Sequence, residues 1–312
     1  MIKSFKAIGS VRNQLDIIFN NQVIHEALNE EMWIAGGFAR EVCHSHFGLN
    51  KNKYKKEISE NRIISYLTGK NTYSTGDIDF FCNSKDHYIK VVKKINEAIG
   101  DLTMQNHLRA YDSDFAHNYQ TYNDNEDNSV CPATKIQFVN KFFFKDIKEC
   151  FDSFDVTNCK YAIKKVFNEY IIFYDIEALE NDSNNLLKLN SSKSPYTISR
   201  IIKYLKHRNL DRLSPCKENK KIFMDCLYKS VENNWNPLYN LKEEVYKENI
   251  KKLHKLVSFS PETLSMFIGF AKDSVFDKQL SITPSSGYGI YVSNIFKDID
   301  WATNELINTC KE

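Results

Sequence analysis

Neither sign of charge dominates this chain of 312 residues: Lys+Arg of 42 against Asp+Glu of 40 leaves a formal +2. So small an excess does not announce a nucleic-acid binder, and any basic surface must come from local clustering. A cysteine framework is also lacking. The eight cysteines (Cys43, Cys82, Cys131, Cys150, Cys159, Cys216, Cys226 and Cys310) contain no Cys-x-x-Cys pair and no His-paired zinc spacing. Most stand in apolar or helical contexts, as buried thiols in a reducing cytosol would. The histidines form no metal spacing either. No stretch approaches the roughly 20 apolar residues of a membrane span, and the opening Met1-Ile2-Lys3-Ser4-Phe5-Lys6 lacks the apolar run of a signal peptide. There is no internal repeat and no coiled-coil heptad. These absences predict a soluble, cytoplasmic protein whose function lies in local motifs.

What is present is core-forming material. Apolar residues make up 42% and aromatics 13%, which excludes global disorder, and the length has room for two domains. Val11, Leu15, Ile18, Phe19, Val23, Ile24 and Leu28 recur at helical spacing and predict one or two helices. A short strand over residues 32–35, a turn at Gly36-Gly37 and a helix from near Phe38 follow. Residues 78–82 and 135–144 read as strands, 84–99 as a helix (Ile89, Val92, Ile95, Ile99), 146–150 as a short helix and 170–174 as a strand. Residues 49–73 look like an insertion, where Lys51, Lys53, Lys55 and Lys56 surround Tyr54 as a solvated face or a nucleic-acid contact. Residues 112–128, rich in Asp, Asn and Tyr, predict a mobile loop beside the site. Together these predict an α+β head with a mixed sheet and covering helices over residues 1–185. A polar linker over 181–193 then leads to an all-α C-terminal domain over 190–312. There Ser194-Pro195 and Ser260-Pro261 read as N-caps followed by proline at the first helical position.

Two stretches carry the chemistry. Trp33-Ile34-Ala35-Gly36-Gly37-Phe38-Ala39-Arg40 reads as an apolar strand end, a double glycine, and a helix bearing Arg40. Glycines let a backbone come close to phosphate, a helix start points N–H groups at an anion, and Arg40 lies one turn further on. Gly76-Asp77-Ile78-Asp79-Phe80-Phe81 sets two carboxylates one residue apart. On a strand, Asp77 and Asp79 project to one side while Ile78 and Phe80 face the core. Two like charges so close repel each other, and a divalent cation between them offsets the repulsion.

The pairing resembles the nucleotidyltransferase superfamily of DNA polymerase β, and within it the head of CCA-adding enzymes and poly(A) polymerases, with Gly-Gly, a spaced Arg and Asp-x-Asp. Similar sequences also occur in bacteriophage proteins. The resemblance implies two Mg²⁺ ions, with Mn²⁺ as a substitute, held by Asp77, Asp79 and a third carboxylate from an adjacent strand. Asp155 or Asp152 is the candidate. The stretch from Phe151 to Ala162 loosely resembles the family's Arg-Arg-Asp-Phe-Thr motif through Asp155, Thr157 and Ala162. Ser153 and Phe154 replace the two arginines, so contacts made by those arginines do not carry over. A third likeness, to a neck helix, rests on Pro195, Ile198, Arg200, Lys203 and Tyr204, and implies triphosphate or acceptor contact at Arg200 and Lys203. The Glu-Asp-x-x-Arg template that selects CTP and ATP in CCA-adding enzymes is absent after Arg208.

The function so implied is transfer of a nucleoside monophosphate from an NTP to an acceptor hydroxyl, most simply an RNA 3′ end, with pyrophosphate released. Two rivals stand beside it: a toxin- or resistance-type nucleotidyltransferase acting on a protein or small molecule, and a catalytically silent NTP- or RNA-binding module.

Overall fold

The structure, a computed structural model, describes residues 1–49, 76–100, 108–113, 115–121 and 135–191. It also describes residues 63, 204, 210, 212–214, 216, 218, 219, 221, 222 and 225. The chain forms two compact units, Met1–Phe154 with Asn158–Glu180, and Asp155–Thr157 with Asn181–Glu312.

The first unit is α+β. Its strands are β1 (Ile2–Lys6), β2 (Trp33–Ala35), β3 (Asp77–Phe81), β4 (Leu108–Asp112), β5 (Ala116–Thr121), β6 (Lys135–Val139), β7 (Tyr161–Val166) and β8 (Glu169–Asp175). They form one sheet in the order β1-β8-β7-β2-β3-β6-β5-β4. Only the β3–β6 pair is parallel, so the sheet is mixed. The helices are α1 (Gly9–Phe19), α2 (Gln22–Asn29), α3 (Gly37–Phe47), α4 (Lys85–Ala98), α5 (Ile147–Ser153) and α6 (Ile176–Ser183).

Side-chain caps explain the starts of three of the six described helices. The Asn21 side chain accepts from the N–H groups of Val23 and Ile24 to open α2, Ser84 caps α4, and Asp146 accepts from the Glu149 N–H to open α5. Each bond satisfies an otherwise orphan donor, worth about 1 kcal/mol. Helix α3 differs, because its N-cap is Gly36, which offers no side chain.

Two faces of the sheet are covered. Ile34, Ile78, Phe80, Ile136, Phe138, Ile163 and Ile172 form the larger core with the apolar faces of α1 to α4. Phe80 and Phe138 stack there at 5.0 Å between ring centroids, and a buried Phe contributes about 1.5–3 kcal/mol. On the opposite face Trp33, Ala35, Phe81 and Ala162 pack with Phe144, Cys150 and Phe151, so α5 covers that end.

Three expectations need correction. The first part of the loop predicted over 112–128 belongs to a β-hairpin, β4–β5, which bonds to β6, with Asp112 and Ala116–Thr121 as strand residues; residues 122–128 lie outside the described residues. Its Asn, Asp and Tyr residues look loop-like alone, but pairing with a distant strand decides the matter. The strand at residue 135 ends at Val139 rather than continuing to 144. The polar linker is partly regular: α6 runs to Ser183, and Leu186–Leu187 forms β9, parallel to β10 (Arg212–Leu213) in the second unit. There Asn219, buried, clamps the chain by donating to Leu187 O and Ser214 O and accepting from the Leu189 N–H. The C-terminal domain expected over 190–312 lies outside the described residues from 226 onward, as does the lysine cluster at 51–56.

Candidate functional site

The exposure of β3 alternates as its sequence predicts. Ile78 and Phe80 are fully buried, while Asp77 and Asp79 are half-buried on the opposite face. Strand β6 continues that face, since Asp77 is opposite Lys135 and Asp79 opposite Gln137. Strand β5 extends it again with Asn118 opposite Gln137. Residues directly opposed across a ladder share a face, so Asp79, Gln137 and Asn118 form one row.

The row is tightly connected. One end of the Gln137 amide lies 2.8 Å from Asp77 Oδ2 and 3.1 Å from Asp79 Oδ1. The other end donates to Asn118 Oδ1 at 2.6 Å. The two carboxylates therefore converge on one point, the arrangement that suits a hard divalent cation. Among the described residues no group of three His, Cys, Asp or Glu side chains gathers to hold a metal. On the neighbouring strand of this face it is an amide, Gln137, that adjoins the aspartates.

The glycine turn leaves the sheet beside this point. Ile34 is opposite Phe80, so one further step of the same antiparallel register sets Ala35 against Asp79. Gly36 follows with φ 88° and ψ −137°, a conformation closed to residues with a Cβ. Its N–H donates to Tyr161 O at 3.0 Å, and its carbonyl accepts from the Arg40 N–H at 2.9 Å. A Cβ built at Gly36 would meet no heavy atom within 4 Å, so the space before the turn is open. With no side-chain cap, the start of α3 presents its positive dipole end there.

Other expected residues fall as follows. Arg40 lies one turn into α3 but is 1% exposed, with Nη1 3.5 Å from Glu41 Oε1, so it is no surface arginine. Asp155 belongs to the second unit. It is buried, and its carbonyl accepts from the N–H groups of Asn190 and Ser191. Asp152 stands on α5, largely exposed, where its carboxylate accepts from Lys148 at 2.6 Å. Arg200 and Lys203 lie outside the described residues. Burial pushes the thiols of Cys82 and Cys150 up to about 11 and about 12, so neither is a nucleophile near neutral pH. Sequence reasoning missed Gln137 and Asn118. The available signal was one glutamine between Ile136 and Phe138, on the same face as Lys135.

Among curated proteins none matches the chain. Similar solved structures include a CCA-adding enzyme in complex with CTP, at 14% identity and a TM-score of 0.45, covering 96% of this chain and 62% of that one. Another is a tRNA-processing enzyme in an apo form, at 12% identity and a TM-score of 0.42, covering 97% and 81%. A third is the Thermotoga maritima CCA-adding enzyme complexed with tRNA, at 12% identity and a TM-score of 0.36, covering 100% and 87%. The chain thus spans under two thirds of the length of the first of these. A family model described as Gabija anti-defense 2 matches residues 9–181, which include the whole of β2 to β8 and their helices. That match covers more than half of the chain, and the protein belongs to the Gabija anti-defense 2 family.

Proposed function

We propose that the first unit carries a divalent-metal-dependent nucleotidyltransferase site, moving a nucleoside monophosphate from an NTP to an acceptor hydroxyl with release of pyrophosphate. The observation that carries this reading is the convergence of Asp77 and Asp79 within 2.8 and 3.1 Å of one amide group, beside the glycine entry to α3. Mg²⁺, as two ions or with Mn²⁺ in its place, would supply charge neutralisation at the α-phosphate and activation of the acceptor hydroxyl.

The protein's own groups have separate tasks in this reading. Asp77 and Asp79 hold the metal. Gly36 and Gly37 let phosphate approach the main chain at the positive end of α3. Arg40, buried beside Glu41 one turn into α3, is the proposed contact to the triphosphate. Asp155 is the proposed further acid, and Arg200 and Lys203 the proposed nucleotide or acceptor-backbone contacts. Fold alone does not choose an acceptor. An RNA 3′ end is the first choice, from the sequence motifs. Family membership favours a second: a component of the Gabija defence as the molecule modified or bound.

The test is label fate. Purified protein, Mg²⁺ and each α-labelled NTP are incubated with total RNA, and separately with the proteins of a Gabija system. Label on RNA supports the first acceptor and label on protein the second. Label on neither, with free nucleotide unchanged, contradicts nucleotidyl transfer and leaves a binding module.

A further inference from the structure

Within the reading of Asp77 and Asp79 as metal ligands, on which this rests, we infer that the side-chain oxygen of Gln137 is a third ligand of the cation, with Asn118 as the group that aims it. The case turns on which end of the amide is oxygen, and hydrogen bonding decides that. Asn118 is 1% exposed and sits within the β4–β5 hairpin. Its NH₂ donates to Tyr111 O at 3.3 Å, Ser113 Oγ at 3.3 Å and Ala116 O at 3.0 Å. The Ser113 hydroxyl is committed as a donor to Ala116 O at 2.9 Å, so towards Asn118 it can only accept. All three neighbours are thus acceptors, and Asn118 cannot turn over. Its Oδ1 must face Gln137.

That orientation fixes Gln137 in turn. Its NH₂ donates to Asn118 Oδ1 at 2.6 Å, and its oxygen therefore points at the two aspartates. Turning the amide over would give its NH₂ to Asp77 and Asp79 but would press its oxygen against Asn118 Oδ1 at 2.6 Å. Three acceptor oxygens meet at one point, and a cation there satisfies them all. The separations of 2.8 and 3.1 Å match adjacent oxygens of an octahedral Mg²⁺ site, about 2.9 Å apart for bonds of 2.0–2.1 Å. A neutral amide in this place gives the strand-borne site two negative charges instead of three. Ligand charge tunes affinity, so the site holds a bare ion loosely.

The experiment is Mn²⁺ binding to the full chain, followed by loss of the six-line electron paramagnetic resonance signal of the free ion. Wild type, Gln137→Leu, Gln137→Met and Asp79→Asn are compared, with metal-free melting temperatures as the check on folding. Gln137→Leu is expected to weaken Mn²⁺ binding about tenfold or more while still folding, its melting lowered by the hydrogen bond lost at the buried Asn118 oxygen. Gln137→Met, which keeps the length of the side chain and removes its oxygen, is expected to weaken binding alike. Unchanged or tighter binding by Gln137→Leu, with Asp79→Asn still losing it, overturns the ligand role but spares the aspartate site. Should Gln137→Leu fail to fold, Gln137→Met decides alone, and unchanged binding overturns the role. No binding by wild type at millimolar Mn²⁺ overturns both.

Discussion

Replacing Gly36 by alanine perturbs a single variable. The residue holds φ 88° and ψ −137°, where a Cβ strains the backbone by about 1–3 kcal/mol. No steric term is added, because the new methyl would meet no protein atom within 4 Å. Alanine also restricts the unfolded chain, which offsets roughly 0.4–1 kcal/mol at compatible sites but is outweighed where φ is positive. In a unit of this size each kcal/mol moves the melting temperature by about 2–4 °C, so a loss of roughly 2–10 °C is expected by scanning calorimetry. The methyl would also stand in the open space before α3, where phosphate is proposed to approach. NTP affinity, measured by titration calorimetry at a temperature where the variant is fully folded, should fall about tenfold or more. Unchanged melting would refute the positive-φ turn. Lowered melting with unchanged NTP affinity would refute the phosphate role and leave a structural turn.

Two further predictions concern the edges of the first unit. The Glu30 carboxylate accepts from Lys94 at 2.7 Å and from Lys90 at 3.0 Å, which holds it below the usual carboxylate range. A lowered carboxyl stabilises the fold above that range and loses the effect as pH falls. Glu30→Gln should therefore cost about 0.5 kcal/mol in urea unfolding at neutral pH and nothing below about pH 3. An equal cost at both would contradict the ion-pair account. His46 stacks on Phe5 at 3.9 Å between ring centroids, and burial holds its imidazole below the ordinary value. The unfolded chain takes up that proton first, so stability is complete above about pH 6.5 and declines as pH falls. His46→Phe should flatten this part of the pH–stability curve, and an unaltered slope would show that the imidazole contributes nothing to it.

Much of the fold was legible in short-range pattern. The helical spacing of Val11 to Leu28, the strand before Gly36-Gly37 and the alternation in Asp77-Ile78-Asp79-Phe80 all reflect local periods that one face of an element imposes. The β4–β5 hairpin was not legible, because Asn118 and Tyr119 become strand residues by pairing with β4 on one side and the distant β6 on the other. Gln137 stood out only as one polar residue between Ile136 and Phe138, and its role was hidden for the same reason: its partners lie on β3 and β5. The two glycines and two aspartates could be read as a pair because each motif is contiguous. What joins them is the β2–β3 register, which follows from tertiary structure. Asp155 carried a sequence likeness, yet its segment associates with residues beyond 181, a long-range grouping no local pattern encodes.

The aspartate site can be tested most directly by a measurement that needs no knowledge of the acceptor: the shift in melting temperature produced by Mg²⁺ with an NTP, in wild type and in Asp77→Asn. Metal-free, the variant should melt at or slightly above the wild-type temperature, because removing one of two converging charges relieves repulsion. With Mg²⁺ and NTP the wild type should rise by several degrees, as expected at about 100 times the dissociation constant, and the variant should not. An equal rise in both proteins would contradict the assignment of Asp77 and Asp79 as the metal site.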